Sequence, residues 1–393
     1  MKKYFVIFGG GGIRGIAYCG AYNALIKNDV QISGLAGSSI GAVFAVLLSL
    51  KYSGYEIFEI FSDTGVGLFT DLNFGVKNEI AVSKGQKFYD WIKTYIEQKF
   101  YGSSYKKGQM PPVTFKDIEE NLVVYAVDLA KMQFKEFSRR LTPDFEVAKA
   151  VRASVSMPGL FTPLIEDDMF LVDGDLLKSS PLWRMSDTIK NTEDRILEFR
   201  LEDTTPKENI TNPIEYFNRV YNAFCGFSTD YIIDVYGKKD KFDYIKINTP
   251  DVSVVDFLIP KTKKQELFDI GYSTTDEYFL DRLSEKRKIL YNKYTKLLEM
   301  FINFQKKFSK KDYCASYVIL CEIFVYLCEE KLYIDASIYE RIVEFKNLYF
   351  DSYVKSNILN FNRGGLKKNA ENIHNIMLEI LKTLTVKTEE LNS

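Results

Sequence analysis

Hydrophobic positions at the start of the chain come in short runs broken by glycine. Tyr4 to Phe8 is apolar, β-branched and aromatic, which predicts a strand. The glycines from Gly9 onward end it. Ile16, Tyr18, Cys19, Tyr22, Leu25 and Ile26 then recur at helical spacing. A second apolar run, Ile32 to Ala36, meets Gly37-Ser38-Ser39-Ile40-Gly41 and passes into a long apolar helix through Leu48. Two strand–turn–helix units so close together predict a parallel α/β sheet with helices on its faces.

Further along, Gly54 to Phe115 reads as helix with polar loops. Leu122 to Leu129 is the next strand, and Gln133 to Phe137 is expected to pair with it. Asp144 is the expected N-cap of a helix through Val147, Ala148 and Val151 that stops near Met157-Pro158. Asp168 to Val172 is a short strand ending at Asp173-Gly174-Asp175. Strands follow at Ile196 to Leu201 and Tyr244 to Ile247, with a helix from Pro213 to Tyr236 between them. A helix from Lys264 to Leu283 closes this part. After Ser284 the pattern changes. Leu290, Tyr294, Leu297, Phe301, Phe304 and Phe308 alternate steps of four and three, an amphipathic seam. Helices near residues 312–330, 337–349 and 369–384, with a loop at Gly364-Gly365, make residues 284–393 an all-helical C-terminal domain.

Composition narrows the class. A chain of 393 residues suits about two or three domains. Hydrophobic residues at 46% and charged residues at 27% fit a soluble globular protein. A net charge of −1 gives no reason to expect nucleic acid as a partner. The five cysteines are odd in number and form no Cys-x-x-Cys, so a reducing, cytoplasmic compartment is the simplest expectation. Cys314, Cys321 and Cys328 lie seven apart and read as small buried hydrophobes on one stripe. Met1-Lys2-Lys3 before an apolar run resembles the start of a signal peptide, but the glycines cut it short. No stretch reaches the ~18 uncharged apolar residues of a membrane span. Tyr313 to Leu327 is interrupted by Glu322 and reads as a buried helix. Contact with a membrane would therefore be peripheral.

The chemistry is carried by few residues. Gly37-x-Ser39-x-Gly41 between strand and helix is the layout of a nucleophile elbow, with the serine at a helix N-terminus. Only Ser39, not Ser38, sits two residues from both glycines. An ordinary Gly/Ser turn would look the same in isolation. Gly9 to Gly15 offers backbone amides for an oxyanion, with Arg14 adding a cation. The same residues spell Gly10-x-Gly12-x-x-Gly15, a dinucleotide fingerprint, which asks for an acidic residue ~20 positions later. No Asp or Glu lies between Val30 and Lys51, which argues against that reading. A phosphate loop is disfavoured too, because no Gly-Lys-Ser/Thr follows. The chain's one histidine, His374, lies near the C-terminus, far from the α/β region. Asp173, at a strand end before a glycine, is the alternative base, although Asp-Gly turns are common. No His/Cys/carboxylate group has metal-ligand spacing.

Taken together, Gly10-Gly11-Gly12-Ile13-Arg14-Gly15, Gly37-Ser38-Ser39-Ile40-Gly41, Val127-Asp128-Leu129, Ala153-Ser154-Val155-Ser156-Met157-Pro158-Gly159-Leu160-Phe161-Thr162-Pro163, Asp173-Gly174 and Pro181 resemble a patatin-like phospholipase over residues 1–283. The resemblance implies a three-layer α/β sandwich with a mostly parallel central sheet. It implies a Ser-Asp dyad without histidine: Ser39 as nucleophile, Asp173 as base, and the Gly10, Gly11 and Gly12 amides as oxyanion hole. Arg14, Gly15, Gly37, Gly41 and Gly174 would support these motifs. No cofactor or metal is implied. The expected activity is lipid acyl hydrolysis of phospholipase A or lysophospholipase type at a phospholipid surface. Neutral-lipid lipase or thioesterase activity, and a partner-gated effector with little basal activity, are the alternatives. The helical C-terminal region is the expected place for a regulatory partner or a second copy. One departure stands out: the family usually has Asp-Gly-Gly or Asp-Gly-Ala, and this chain has Asp173-Gly174-Asp175.

Overall fold

The computed structural model describes residues 3–63, 71, 81–176, 194–203, 210, 216, 219–220, 223, 241–310, 313–330, 334–349 and 364–392. The chain divides into two compact units, Met1–Phe279 and Leu280–Ser393.

The first unit is built on an eight-stranded sheet. Its strands are β1 (Tyr4–Phe8), β2 (Ile32–Ser38), β4 (Leu122–Asp128), β5 (Gln133–Ser138), β7 (Leu164–Glu166), β8 (Met169–Asp173), β9 (Arg195–Glu202) and β10 (Phe242–Asn248). The order across the sheet is β10-β9-β1-β2-β4-β8-β7, with β5 also paired to β4. The run from β10 to β4 is parallel throughout, and β5, β7 and β8 pair antiparallel. Two short strands, β3 (Ala81–Ser83) and β6 (Gly159–Phe161), form a separate parallel pair. Helices α1 (Ala17–Lys27), α2 (Ile40–Ser49), α3 (Gly54–Asp63), α4 (Gln86–Tyr101) and α5 (Val147–Ser154) complete the described part of this layer arrangement.

Strand periodicity sorts the side chains. Val6 and Phe8 enter the large core shared with α1 to α5, while Phe5 and Ile7 enter a second cluster on the other face. Every residue of β4 is buried, which explains its unbroken apolar run. All ten residues of α2 are buried too, so the helix behind the elbow is a core element.

The second unit has its own core. The helix α6 (Lys261–Ser309) runs across the division between the units, followed by α7 (Tyr313–Glu329), α8 (Ala336–Tyr349) and α9 (Gly364–Asn392). The seam residues Tyr294, Leu297, Phe301 and Phe304 are buried against Leu320, Ile323, Ile342, Phe345 and Met377. Leu290 and Phe308 are half-buried against the same cluster. The amphipathic seam is thus filled by helices of its own chain.

Several expectations change. The helix expected to close at Leu283 continues to Ser309, because neither Gly nor Pro interrupts the chain between Gly271 and Ser309. Asp144 does not cap α5. It sits in a turn closed by Phe145 N–H to the Thr142 carbonyl, its carboxylate reaches Lys116 on the surface, and Glu146 takes the cap position. Gly364-Gly365 opens α9 instead of forming a loop; the first amides of a helix have no intrahelical partner to lose. Cys321 is half-buried and Cys328 exposed, because Leu320, Ile323 and Leu327 take the core-facing stripe of α7. The side chain of Cys314 lies outside the described residues, as do Cys225 and Pro181 and most of the helix expected from Pro213 to Tyr236. Strands β3, β6 and β7 are not legible in the sequence because three residues are too few for a period.

Candidate active site

Sheet register brings the two expected chemical groups together. β2 runs parallel to β4 with Ser38 opposite Tyr125. β8 runs antiparallel to β4 with Asp173 opposite Ala126. β5 holds the other edge of β4. The C-terminal ends of β2 and β8 therefore meet head-on along one edge, and the next residue after β2 is Ser39. Its Oγ donates to Asp173 Oδ2 at 2.6 Å across 134 residues of sequence. Ser39 is 4% exposed and Asp173 fully buried.

The turn that carries Ser39 is strained. Its φ of 52° and ψ of −129° lie where non-glycine residues are rare. Such a residue costs on the order of 1–3 kcal/mol unless its surroundings hold it. The flanking glycines permit the crowding. A Cβ on Gly37 would strike the Gly41 carbonyl, and one on Gly41 would strike the Phe8 carbonyl.

Ser154, in the Ala-Ser-Val-Ser-Met-Pro stretch, pins the elbow from behind. Its Oγ accepts the Ser39 N–H at 2.9 Å and donates to the Tyr125 carbonyl at 2.5 Å. The carbonyls of Ser154 and Ser156 accept the N–H groups of Gly174 (3.2 Å) and Asp173 (3.1 Å). Arg152 Nη1 donates to Ser156 Oγ at 2.6 Å, and the guanidinium also donates to the carbonyls of Lys84, Gly85 and Thr162. One motif thus holds both sides of the site. Ser154→Ala leaves a buried amide and a buried carbonyl without this partner, which costs about 1–3 kcal/mol. Urea unfolding should show that loss, and a fluorophosphonate ester probe should label the variant more slowly than the parent.

The glycine turn is sewn to its neighbours. Gly9 N–H donates to the Phe199 carbonyl at 3.1 Å, Tyr18 Oη donates to the Gly9 carbonyl at 3.0 Å, and Ile13 N–H donates to the Val254 carbonyl at 3.2 Å. Arg14 is buried, and its Nε donates to the Gly11 carbonyl at 3.2 Å, so this cation braces the turn itself. Gly15 packs against Ile40 and Phe44 of α2, and Gly174 lies against the Tyr125 carbonyl. Gly10 lies against Ser39, and its N–H donates to Asp175 Oδ2 at 2.8 Å. Of the expected oxyanion amides, that of Gly10 is therefore engaged by a carboxylate, while Gly11 and Gly12 take positive φ values of 150° and 59°.

Behind this turn lies a buried charge cluster that the sequence pattern did not single out. Arg200 Nε donates to Glu198 Oε1 at 2.7 Å, and its Nη1 lies 3.5 Å from Asp175 Oδ2. Its trace in the sequence is two opposite charges on one face of an apolar strand, Ile196-Leu197-Glu198-Phe199-Arg200-Leu201. Burial opposes the charge of Arg200, but Glu198 and Asp175 hold its pKa above the ordinary value. Asp173 moves the other way for a carboxylic acid. Burial, and then the charge of Asp175, push its pKa well above the carboxylate range, against the hydrogen bonds from Ser39 and the Asp175 amide.

Asp128, in the Val-Asp-Leu match, is structural, since its Oδ1 accepts N–H groups from Ala130 and Phe170. His374 lies on α9 in the C-terminal unit, and its side chain is outside the described residues. Among the described residues, no group of three or more His, Cys, Asp or Glu is arranged to hold a metal ion. Among them, too, no helix is long and apolar enough to cross a membrane.

Comparison with known proteins bears on these residues. Residues 6–185 match the family model described as patatin-like phospholipase. The uncharacterized protein YqhO of Bacillus subtilis is 26% identical over 290 residues, covering 69% of this chain and 96% of its own length. A probable lipid hydrolase of invertebrate iridescent virus 6 is 27% identical over 190 residues, covering 46% of this chain and 63% of its own. The crystal structure of VipD from Legionella pneumophila aligns over 100% of this chain and 90% of that one, with 14% identity and a TM-score of 0.43.

Proposed function

We propose that the patatin-like phospholipase domain at residues 6–185 makes this chain a lipid acyl hydrolase that cleaves ester bonds of glycerophospholipids, in the manner of a phospholipase A or lysophospholipase. The observation that carries the reading is the 2.6 Å hydrogen bond from Ser39 Oγ to Asp173 Oδ2 at a strained strand-to-helix turn. Ser39 Oγ attacks the ester carbonyl while Asp173 takes its proton. The amides of Gly11 and Gly12, which follow Gly10 in the glycine turn, receive the oxyanion. Collapse of the tetrahedral intermediate expels the alcohol, which Asp173 protonates, leaving acyl-Ser39. Water, deprotonated by Asp173, then releases the fatty acid and restores Ser39.

An aspartate with an ordinary pKa of ~3.9 is a feeble base toward a serine hydroxyl. Burial and the neighbouring carboxylate strengthen it, and the short hydrogen bond orients it. The reaction has one direct test. The purified full-length chain is incubated with vesicles of mixed phosphatidylcholine, phosphatidylethanolamine and phosphatidylglycerol, and the products are read by mass spectrometry. Free fatty acid with the matching lysophospholipid, or the glycerophosphodiester from added lysolipid, is the expected result. Triacylglycerol or acyl-thioester cleavage with phospholipids untouched would favour a neutral-lipid lipase or a thioesterase instead.

A further inference from the structure

Asp175 follows the strand-end Asp173-Gly174, and the structure gives it several simultaneous contacts. Its Oδ2 accepts the Gly10 N–H at 2.8 Å, and its Oδ1 accepts the Ser38 hydroxyl. Its own N–H donates to Asp173 Oδ1 at 2.9 Å. Its side chain is 2% exposed. One residue thus touches the glycine turn, the elbow and the candidate base.

A plain buried ion pair with Arg200 is the competing account. The distances speak against it as the main role. Arg200 gives its shorter bond to Glu198, at 2.7 Å, and approaches Asp175 at only 3.5 Å. The carboxylate is oriented by the Gly10 amide and the Ser38 hydroxyl, with Arg200 as a counter-charge behind it. A small residue at this position would leave those donors without this acceptor, and the turn would lose its tie to the elbow.

We propose that Asp175 is a positioning residue, whose carboxylate fastens the glycine turn to the serine elbow and so fixes the Gly11 and Gly12 amides relative to Ser39 Oγ. This rests on the reading of Ser39 and Asp173 as the reacting pair. The effect on rate follows from geometry, since a displacement near 1 Å in a reacting constellation costs about 10²-fold. The charge of Asp175 acts on Asp173, and Asp175 itself faces Arg200 of β9 and Tyr18 of α1, which in turn face Glu198, with Tyr244 of β10 beside Arg200 and Arg14 of the glycine turn beside Tyr18.

The test uses the full-length chain and p-nitrophenyl butyrate, a soluble ester that needs no membrane. Asp175→Ala should lower kcat by about 10²-fold with little change in KM. Asp175→Asn keeps a carbonyl oxygen for the Gly10 amide and should recover most of that loss. Both variants should move the acidic limb of the kcat/KM profile to lower pH by roughly one unit, because a negative neighbour of the base is gone. Wild-type kcat and an unmoved limb in Asp175→Ala overturn the proposal. So does equal impairment of both variants with an unmoved limb and a lowered unfolding temperature, which is the mark of a merely structural residue. If Asp175→Ala does not fold, the limb of Asp175→Asn decides alone: unmoved, it overturns the proposal. Asp173→Asn, run beside them, separates the two levels of inference. Full activity there sinks the dyad itself, whereas an inactive Asp173→Asn with a wild-type Asp175→Ala sinks only the role of Asp175.

Discussion

Ser39→Ala should abolish ester hydrolysis while leaving the chain folded. Removing the attacking oxygen from a serine hydrolase costs on the order of 10⁴-fold or more in kcat. The loss should appear as undetectable product from vesicles and as absent labelling by a fluorophosphonate probe. Alanine keeps the Cβ and the same backbone strain, and the amide of residue 39 keeps its bond to Ser154 Oγ, so the elbow should persist. Circular dichroism and thermal unfolding close to the parent's would show that the defect is chemical. Ser38→Ala is the contrast. The Ser38 hydroxyl donates to Asp175 and is not the group bonded to Asp173. That variant should stay folded with reduced but measurable turnover, and the probe should still label Ser39. Labelling on Ser38, or full activity in Ser39→Ala, would show the elbow to be misassigned.

The parts of the site legible in the sequence are those that backbone geometry forces. A strained turn needs glycines at Gly37 and Gly41 whatever surrounds it, so the elbow is visible in five letters. The alternation of β1 and β2 and the long apolar helix behind them follow from burial alone. Asp173 is legible only as a strand-end carboxylate. Its meeting with Ser39 depends on β8 running against β4, and pairing direction leaves no trace in eight letters. Asp175 shows the limit most plainly. One carboxylate two residues from another reads as a solvated pair or as a mutual pKa effect. Its bond to Gly10 spans 165 residues and depends on the sheet closing first. Glu198 and Arg200 are visible as charges inside an apolar strand, but they become meaningful only once β9 is known to lie beside β1. Helix α6 differs for the opposite reason. A change in residue character at Ser284 marks a boundary between cores, and the backbone helix simply continues through it.

Asp173→Asn should be as inactive as Ser39→Ala for a different reason, and at least as stable as the parent at neutral pH. Asparagine is close in shape and can still accept the Ser39 hydroxyl, but it cannot take its proton. Removing the base that takes the proton of a serine nucleophile costs on the order of 10⁴-fold or more in kcat, about as much as removing the serine itself. The stability expectation comes from linkage. Burial and Asp175 raise the pKa of Asp173 in the folded chain above its unfolded value. Between those two values the native state holds a proton that the unfolded state has released, so stability falls as pH rises through that window. The charged form that catalysis requires is therefore the form that folding disfavours. Asparagine removes that charge and with it the penalty. Wild-type activity should climb with pH along a limb well above the usual carboxylate range, and its unfolding temperature should decline over the same interval. Asp173→Asn should flatten the stability curve and remove the activity together. His374→Ala, which alters the chain's one histidine, should keep wild-type turnover and the same limb. A folded but inactive His374→Ala would mean that an imidazole is the base, and the dyad would have to be abandoned. A limb that stays with the Ser39–Asp173 pair after the histidine is gone identifies the carboxylate as the group that titrates.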